Sequence, residues 1–163
     1  MESVIAFANE GGLVLGICNG FQVLCEARLL PGALLGNANL RFTFRQVDLD
    51  VVQSDTAFTC ACGVGGDSTT ARLSIPAKHS WGRYYADGQT LASMEQNGQV
   101  VLRYAEGENF NGSVHDIAGV RNEAGNVFGL MPHPEHAVDE LTGSTDGLCV
   151  FASMRMAVDG ARV

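Results

Sequence analysis

Apolar and polar positions along this chain follow two different periods. Residues 2–10 carry Val4, Ile5 and Ala8 at helical spacing, and Gly11-Gly12 interrupts that pattern. Residues 13–17 form a continuous apolar run, which predicts a strand buried on both faces of a parallel sheet. Helical spacing returns over residues 20–30, with Phe21, Leu24 and Cys25 on one face, and Pro31-Gly32 closes the segment. From about residue 40 the period becomes two. Segments 40–52, 56–62, 70–76, 82–86, 90–94 and 99–104 are predicted as short strands, with a glycine-rich turn at 64–68. Gly119-Val120, a turn at 123–126 and residues 127–131 predict a hairpin. Residues 146–158 predict a closing helix with Leu148, Phe151, Ala152 and Met156 as its apolar stripe. The chain contains no internal repeat, low-complexity tract or linker, so one α/β domain over residues 1–163 is expected.

The strand-to-helix transition carries a candidate nucleophile. Cys18 lies between the apolar run and the helix, flanked by Gly16 and Gly20 in a G-x-C-x-G frame. A thiol at such a turn is exposed on its outer side and lies near helix N-terminal amides, which favour the thiolate. A side chain at either glycine is expected to crowd the elbow. Buried structural cysteines are common, so Cys18 gains weight only with a partner base.

His133 is the best-placed base. Pro132 and Pro134 flank it and bias the segment towards extended geometry. In an extended chain His133 and Glu135 share a face, so the carboxylate can fix the imidazole tautomer. A cysteine at the end of one strand and His-x-Glu at the end of another suit the crevice where open α/β sheets hold their sites.

Composition narrows the alternatives. The net charge of −8, without basic clusters, disfavours nucleic acid or anionic membrane as a partner. No apolar stretch is long enough to span a bilayer, and the amino terminus lacks a signal-peptide pattern. Five scattered cysteines do not suggest a disulfide framework, and a reducing cytoplasm follows as the expected setting. Cys25 and Cys149 are expected in the core. Cys60-Ala61-Cys62 lacks a second ligand pair for zinc, so no metal site is expected. Gly63-Val64-Gly65-Gly66 reads as a turn rather than a phosphate loop. His79 and His115 have no oriented carboxylate of their own and are read as hydrogen-bonded or solvated singletons.

These residues resemble the class I (triad) glutamine amidotransferases. Within that family the likeness is strongest to the glutaminase subunits of phosphoribosylformylglycinamidine (FGAM) synthase. It is carried by GGLVLGICNGFQVLCEARLLPGALLGN at 11–37, GRYYAD at 82–87, NFNGSVHDIAGV at 109–120 and GLMPHPEHAVDELTGSTDGL at 129–148. The resemblance implies a flavodoxin-like sandwich with a mixed, mainly parallel sheet, flanking helices and additional short antiparallel strands. It implies Cys18 as nucleophile, His133 as general base and acid, Glu135 as orienting carboxylate, and the Asn19 amide as an oxyanion donor. Gln22, Asn111, Gly112 and Ser113 are implied to contact glutamine. Hydrolysis through a cysteine thioester would supply ammonia to a large synthetase subunit, which works with a small bridging subunit. No cofactor is implied in this chain, ATP and magnesium being used by the synthetase.

The sequence also departs from the family. Family members begin with strands and helices that precede this segment, including a Pro-Gly-Gly-Phe-Ser type loop that donates the other oxyanion amide. The chain is therefore expected to be truncated at its N-terminus, with an unpaired edge at residues 13–17. His79-Ser80-Trp81-Gly82 stands where His-Gly-Glu-Gly is usual, and His136 stands where arginine is usual. Two other functions stay open. One is a non-catalytic remnant that keeps the fold and partner binding. The other is an α/β-hydrolase-type cysteine hydrolase, in which the acid precedes the histidine in the chain.

Overall fold

A computed structural model describes residues 1–63 and 71–160. Helix α1 (Glu2–Asn9) leads into strand β1 (Val14–Ile17) and helix α2 (Asn19–Glu26). Then follow β2 (Ala33–Leu35), β3 (Thr43–Val51), β4 (Arg72–His79), β5 (Arg83–Tyr85), α3 (Gly88–Gln96) and β6 (Val100–Tyr104). Strands β7 (Ile117–Arg121) and β8 (Val127–Leu130) form the expected hairpin, and helix α4 (Leu148–Gly160) closes the chain. The turns expected at 64–68 and in Gly63-Val64-Gly65-Gly66 fall largely outside the described residues.

Six strands form one mixed sheet in the order β1-β8-β7-β6-β3-β4, while β2 and β5 pair separately. Among the described residues only β1 and β8 run parallel; the other pairings in this sheet are antiparallel. The balance therefore tilts further towards antiparallel pairing than expected, because tight connections such as the Asn122 turn reverse the chain without a helical crossover. Strand β1 is an edge among the described residues, and its Val14, Leu15 and Ile17 are only half-buried rather than covered on both faces. One apolar cluster, around Leu49, Ile75, Val101, Phe128 and Leu130, fills the side that α4 covers. A second, around Phe21, Leu24, Tyr84, Met94 and Met131, lies under α2 and α3.

Three local expectations are corrected. Residues 90–94 belong to α3, not a strand. The Asp87 side chain accepts from the Gln89 and Thr90 amides and caps the helix, and Leu91 and Met94 bury one face. Residues 56–62 form turns, because the Thr56 hydroxyl accepts from the Phe58 amide and the Thr59 hydroxyl donates to the Gln53 carbonyl. Cys62 and Cys149 are joined in a disulfide across 87 residues of sequence, so Cys149 is not a free core thiol. Their partnership arises from the docking of α4 against the 56–62 turns, where the Ser153 hydroxyl also accepts from the Ala61 amide. Among the described residues no helix is long and apolar enough to cross a membrane.

Candidate active site

Cys18 sits one residue beyond β1 with φ 52° and ψ −107°, a conformation that side chains seldom adopt. The turn is held from both sides. The Cys18 amide donates to the Leu130 carbonyl at 2.9 Å, continuing the β1–β8 ladder, and the Cys18 carbonyl accepts from the Gln22 amide. Gly16 is needed for this closure: a Cβ there would lie 2.8 Å from the Gly20 backbone and 2.4 Å from Leu24 Cδ1. Gly20 is not, since a Cβ on it would meet nothing within 4 Å, contrary to the sequence expectation. Gly20 lies in the first turn of α2, and the space into which its Cβ would point is open.

His133 follows the end of β8, the strand parallel to β1, so the two chain ends emerge side by side. The His133 amide donates to the Pro76 carbonyl at 2.8 Å, tying this loop to β4. Pro134 then opens a short turn that brings Glu135 back beneath the imidazole. His133 Nδ1 lies 2.5 Å from Glu135 Oε1. A carboxylate accepts only, so Nδ1 carries the proton and Nε2 presents a lone pair. That buried Nε2 has no partner among the described residues. Cys18 and His133 line the same open cleft of about 510 Å³, together with Asn19, Gln22, Lys78 and His79. A larger hollow of about 740 Å³ lies beyond α2, between Arg28 and Met94, and contains no member of this group.

Burial sets the charge states. It pushes the Cys18 thiol up; the Asn19 amide pulls the other way, Glu135 adds to the rise and Lys78 opposes it. The helix-terminal amide thus favours the thiolate as expected, but burial outweighs it. Burial also holds His133 below the usual imidazole range, against the opposing pull of Glu135. At neutral pH the pair is therefore a thiol beside a neutral imidazole, which suits proton transfer during attack rather than a preformed ion pair.

The residues implied to bind substrate separate into two groups. Gln22 lines the cleft, and its Nε2 donates to the Trp81 carbonyl. Asn111, Gly112 and Ser113 do not line it. Asn111 is buried, donating to the Gly82 carbonyl and the Tyr104 hydroxyl, while the Ser113 hydroxyl accepts from the Tyr84 amide. Gly112, at φ 79°, makes the turn that lets both side chains brace the 79–84 segment from behind. These hydrogen bonds hold the segment that continues from the cleft residues His79, Ser80 and Trp81.

His79 is a cleft residue that sequence reasoning undervalued. The Asn37 amide nitrogen donates to the Arg41 and His79 carbonyls, so its oxygen must accept from His79 Nδ1 at 3.0 Å. Burial, with the neighbouring His133 as a lesser cause, depresses His79 to about 4. Below its ordinary value the unfolded chain takes up a proton that the folded chain refuses, so stability falls as pH drops from about 6.5 through about 4. The difference corresponds to about 3 kcal/mol at the acid end. Denaturant unfolding across that window is expected to show this loss, and His79→Gln to flatten the slope. An equal slope in both proteins would remove His79 as its source.

A strained cysteine at an elbow, a histidine with a free Nε2 and a carboxylate behind it suit thiol-based acyl transfer on an α/β frame. The family model of the CobB/CobQ-like glutamine amidotransferase domain matches residues 1–147, and the chain belongs to the glutamine amidotransferase family. It is 54% identical over its full length to phosphoribosylformylglycinamidine synthase subunit PurQ of Lacticaseibacillus paracasei, and spans 68% of that protein. The PurQ subunit of Rubrobacter xylanophilus is 55% identical, with 70% of its length covered. A chain in the structure of PurLQS from Thermotoga maritima matches with a TM-score of 0.81 and 45% identity, over 95% of this chain and 66% of that one.

Proposed function

We propose that this chain is the glutaminase subunit of an FGAM synthase, releasing ammonia from glutamine for purine biosynthesis. One observation carries the chemistry: the unprotonated Nε2 of His133 and the Cys18 thiol face one cleft, with Glu135 fixing the tautomer. Cys18 attacks the side-chain amide carbon as His133 Nε2 takes the thiol proton. The same nitrogen returns that proton to the leaving amine, so ammonia departs and a γ-glutamyl thioester remains. Water, deprotonated by His133, then splits the thioester to glutamate and the thiol. The Asn19 amide opens α2 and is the donor available for the oxyanion on this side. Gln22 borders the space that glutamine occupies. No step requires a cofactor in this chain; ATP and magnesium belong to the synthetase.

The proposed partners are the large synthetase subunit and a small bridging subunit, in line with the PurLQS assembly of the Thermotoga relative. The apolar rim of the cleft supports a covering partner: Phe42 and Trp81 line it, and Phe44 lies in the adjoining groove, all more than half exposed. The setting proposed is the cytoplasm, where the Cys18 thiol stays reduced; the Cys62–Cys149 bridge does not follow from that setting. A glutamine-mimicking diazo-ketone tests the proposal. With synthetase present, it is expected to modify Cys18 and to spare Cys25 and Cys60, read by peptide mass spectrometry. Modification of another cysteine, or of none, would refute it.

A further inference from the structure

The cleft holds a charge that the triad does not use. Among the described residues that line it, Lys78 is the one with a fixed positive charge, since His79 stays neutral down to about pH 4. Lys78 Nζ lies 2.8 Å from His136 Nε2. An ammonium has hydrogens to give and no lone pair, so Lys78 donates and His136 accepts. His136 Nε2 is in turn 3.6 Å from Glu135 Oε1, the oxygen that meets His133 Nδ1 at 2.5 Å. The two imidazoles also pack edge to face, with centroids 5.4 Å apart. Lys78 on β4 is thus held beside the loop after β8 that carries Glu135 and His133.

We propose that Lys78, held at the cleft by its hydrogen bond to His136, is the countercharge of this site, its ammonium offsetting the Glu135 carboxylate at both Cys18 and His133. The assignment rests on the proposed roles of those three residues. During attack the site contains a carboxylate and a developing anion but only one imidazolium, and Lys78 restores neutrality in a protein of net charge −8. The ionisable groups around this point are Cys18, Lys78, His79, Tyr104, His133, Glu135 and His136. Tyr104 stays a neutral phenol because burial raises it strongly. Burial dominates at both catalytic candidates; beyond it, Glu135 raises both groups and Lys78 lowers both. Lys78 is thus a positioning residue that acts through charge, opposite in sign to Glu135 at each.

This opposition gives a signature that a packing role cannot reproduce. In Lys78→Met the ionisation midpoints of Cys18 and His133 both move to higher pH. Two readouts that need no glutamine follow them in the full chain. Iodoacetamide alkylation, mapped to the Cys18 peptide, reports the thiol, and carbon-detected NMR of labelled histidine reports His133. Alkylation at pH 7 is expected to fall about three- to fivefold, and Lys78→Arg to restore it. Lys78→Gln serves as the second neutral variant should methionine disturb the packing beside Phe44, its cross-strand partner. Unchanged midpoints, movement of only one, or movement in opposite directions would overturn the proposal. Because neither readout involves turnover, failure here is distinguishable from failure of the glutaminase assignment.

Discussion

Cys18→Ala is expected to abolish glutamine-dependent amidine formation by the proposed synthase complex and to leave ammonia-dependent formation within about twofold of the parent. The sulfur is the only atom of the residue that the proposed reaction uses, and alanine preserves the backbone of the elbow. Loss of a nucleophile that acts as a unit with its base costs about 10⁴-fold or more. The other cysteines cannot replace it. Cys25 is buried behind α2, its thiol directed at the Pro31 carbonyl and pushed up to about 12. Cys60 is exposed but lies against α4 near Ser153, and Cys62 is tied to Cys149. Ammonia bypasses the thioester, so the synthetase reaction survives if Cys18 serves chemistry alone. Loss of both activities would mean that Cys18 serves assembly instead. Both rates are measured on the complex with its synthetase and bridging subunits.

How much of this site was legible beforehand depends on the range of each signal. The elbow was readable because its parts are adjacent: an apolar run, Gly16, Cys18 and a helical face within a dozen or so residues. The pairing of His133 with Glu135 was expected from extended geometry, but a short helical turn at Pro134–His136 makes it instead, because Pro134 suits the first position of such a turn. That these segments meet is a property of the β1–β8 parallel pair, which periodicity suggests but does not specify. Helix α3 was missed because a five-residue window showed too little of its face; Asp87 before it was the start signal available, and Asn97-Gly98 after it the stop signal. The Asn37–His79 contact and the Cys62–Cys149 bridge span 42 and 87 residues, and no spacing rule connects such partners. Lys78 escaped notice because a lone strand lysine reads as solvated until His136 is placed against it.

Gly16 and Gly20 look equivalent in the G-x-C-x-G frame, yet their alanine variants are expected to differ in sign. At Gly16 a methyl group meets the Gly20 carbonyl group and Leu24 Cδ1 well inside contact distance. Leu24 is in the core beneath α2 and has little room to withdraw. The helix must therefore ride away from β1, at a cost of about 3 kcal/mol for overpacking of this kind. Because Cys18 is the residue that joins the two elements, the same displacement moves the thiol relative to His133, and a shift near 1 Å can cost about 100-fold in rate. At Gly20 the added methyl enters open space, and the position lies within α2 at a negative φ. Alanine there removes backbone freedom from the unfolded chain and favours the helix by about 0.5–1 kcal/mol. Chemical denaturation of the two variants measures the contrast directly. Equal destabilisation by both would show that the elbow closes on the second glycine as tightly as on the first, and a neutral Gly16→Ala would mean that α2 and β1 do not approach as closely as their geometry here requires.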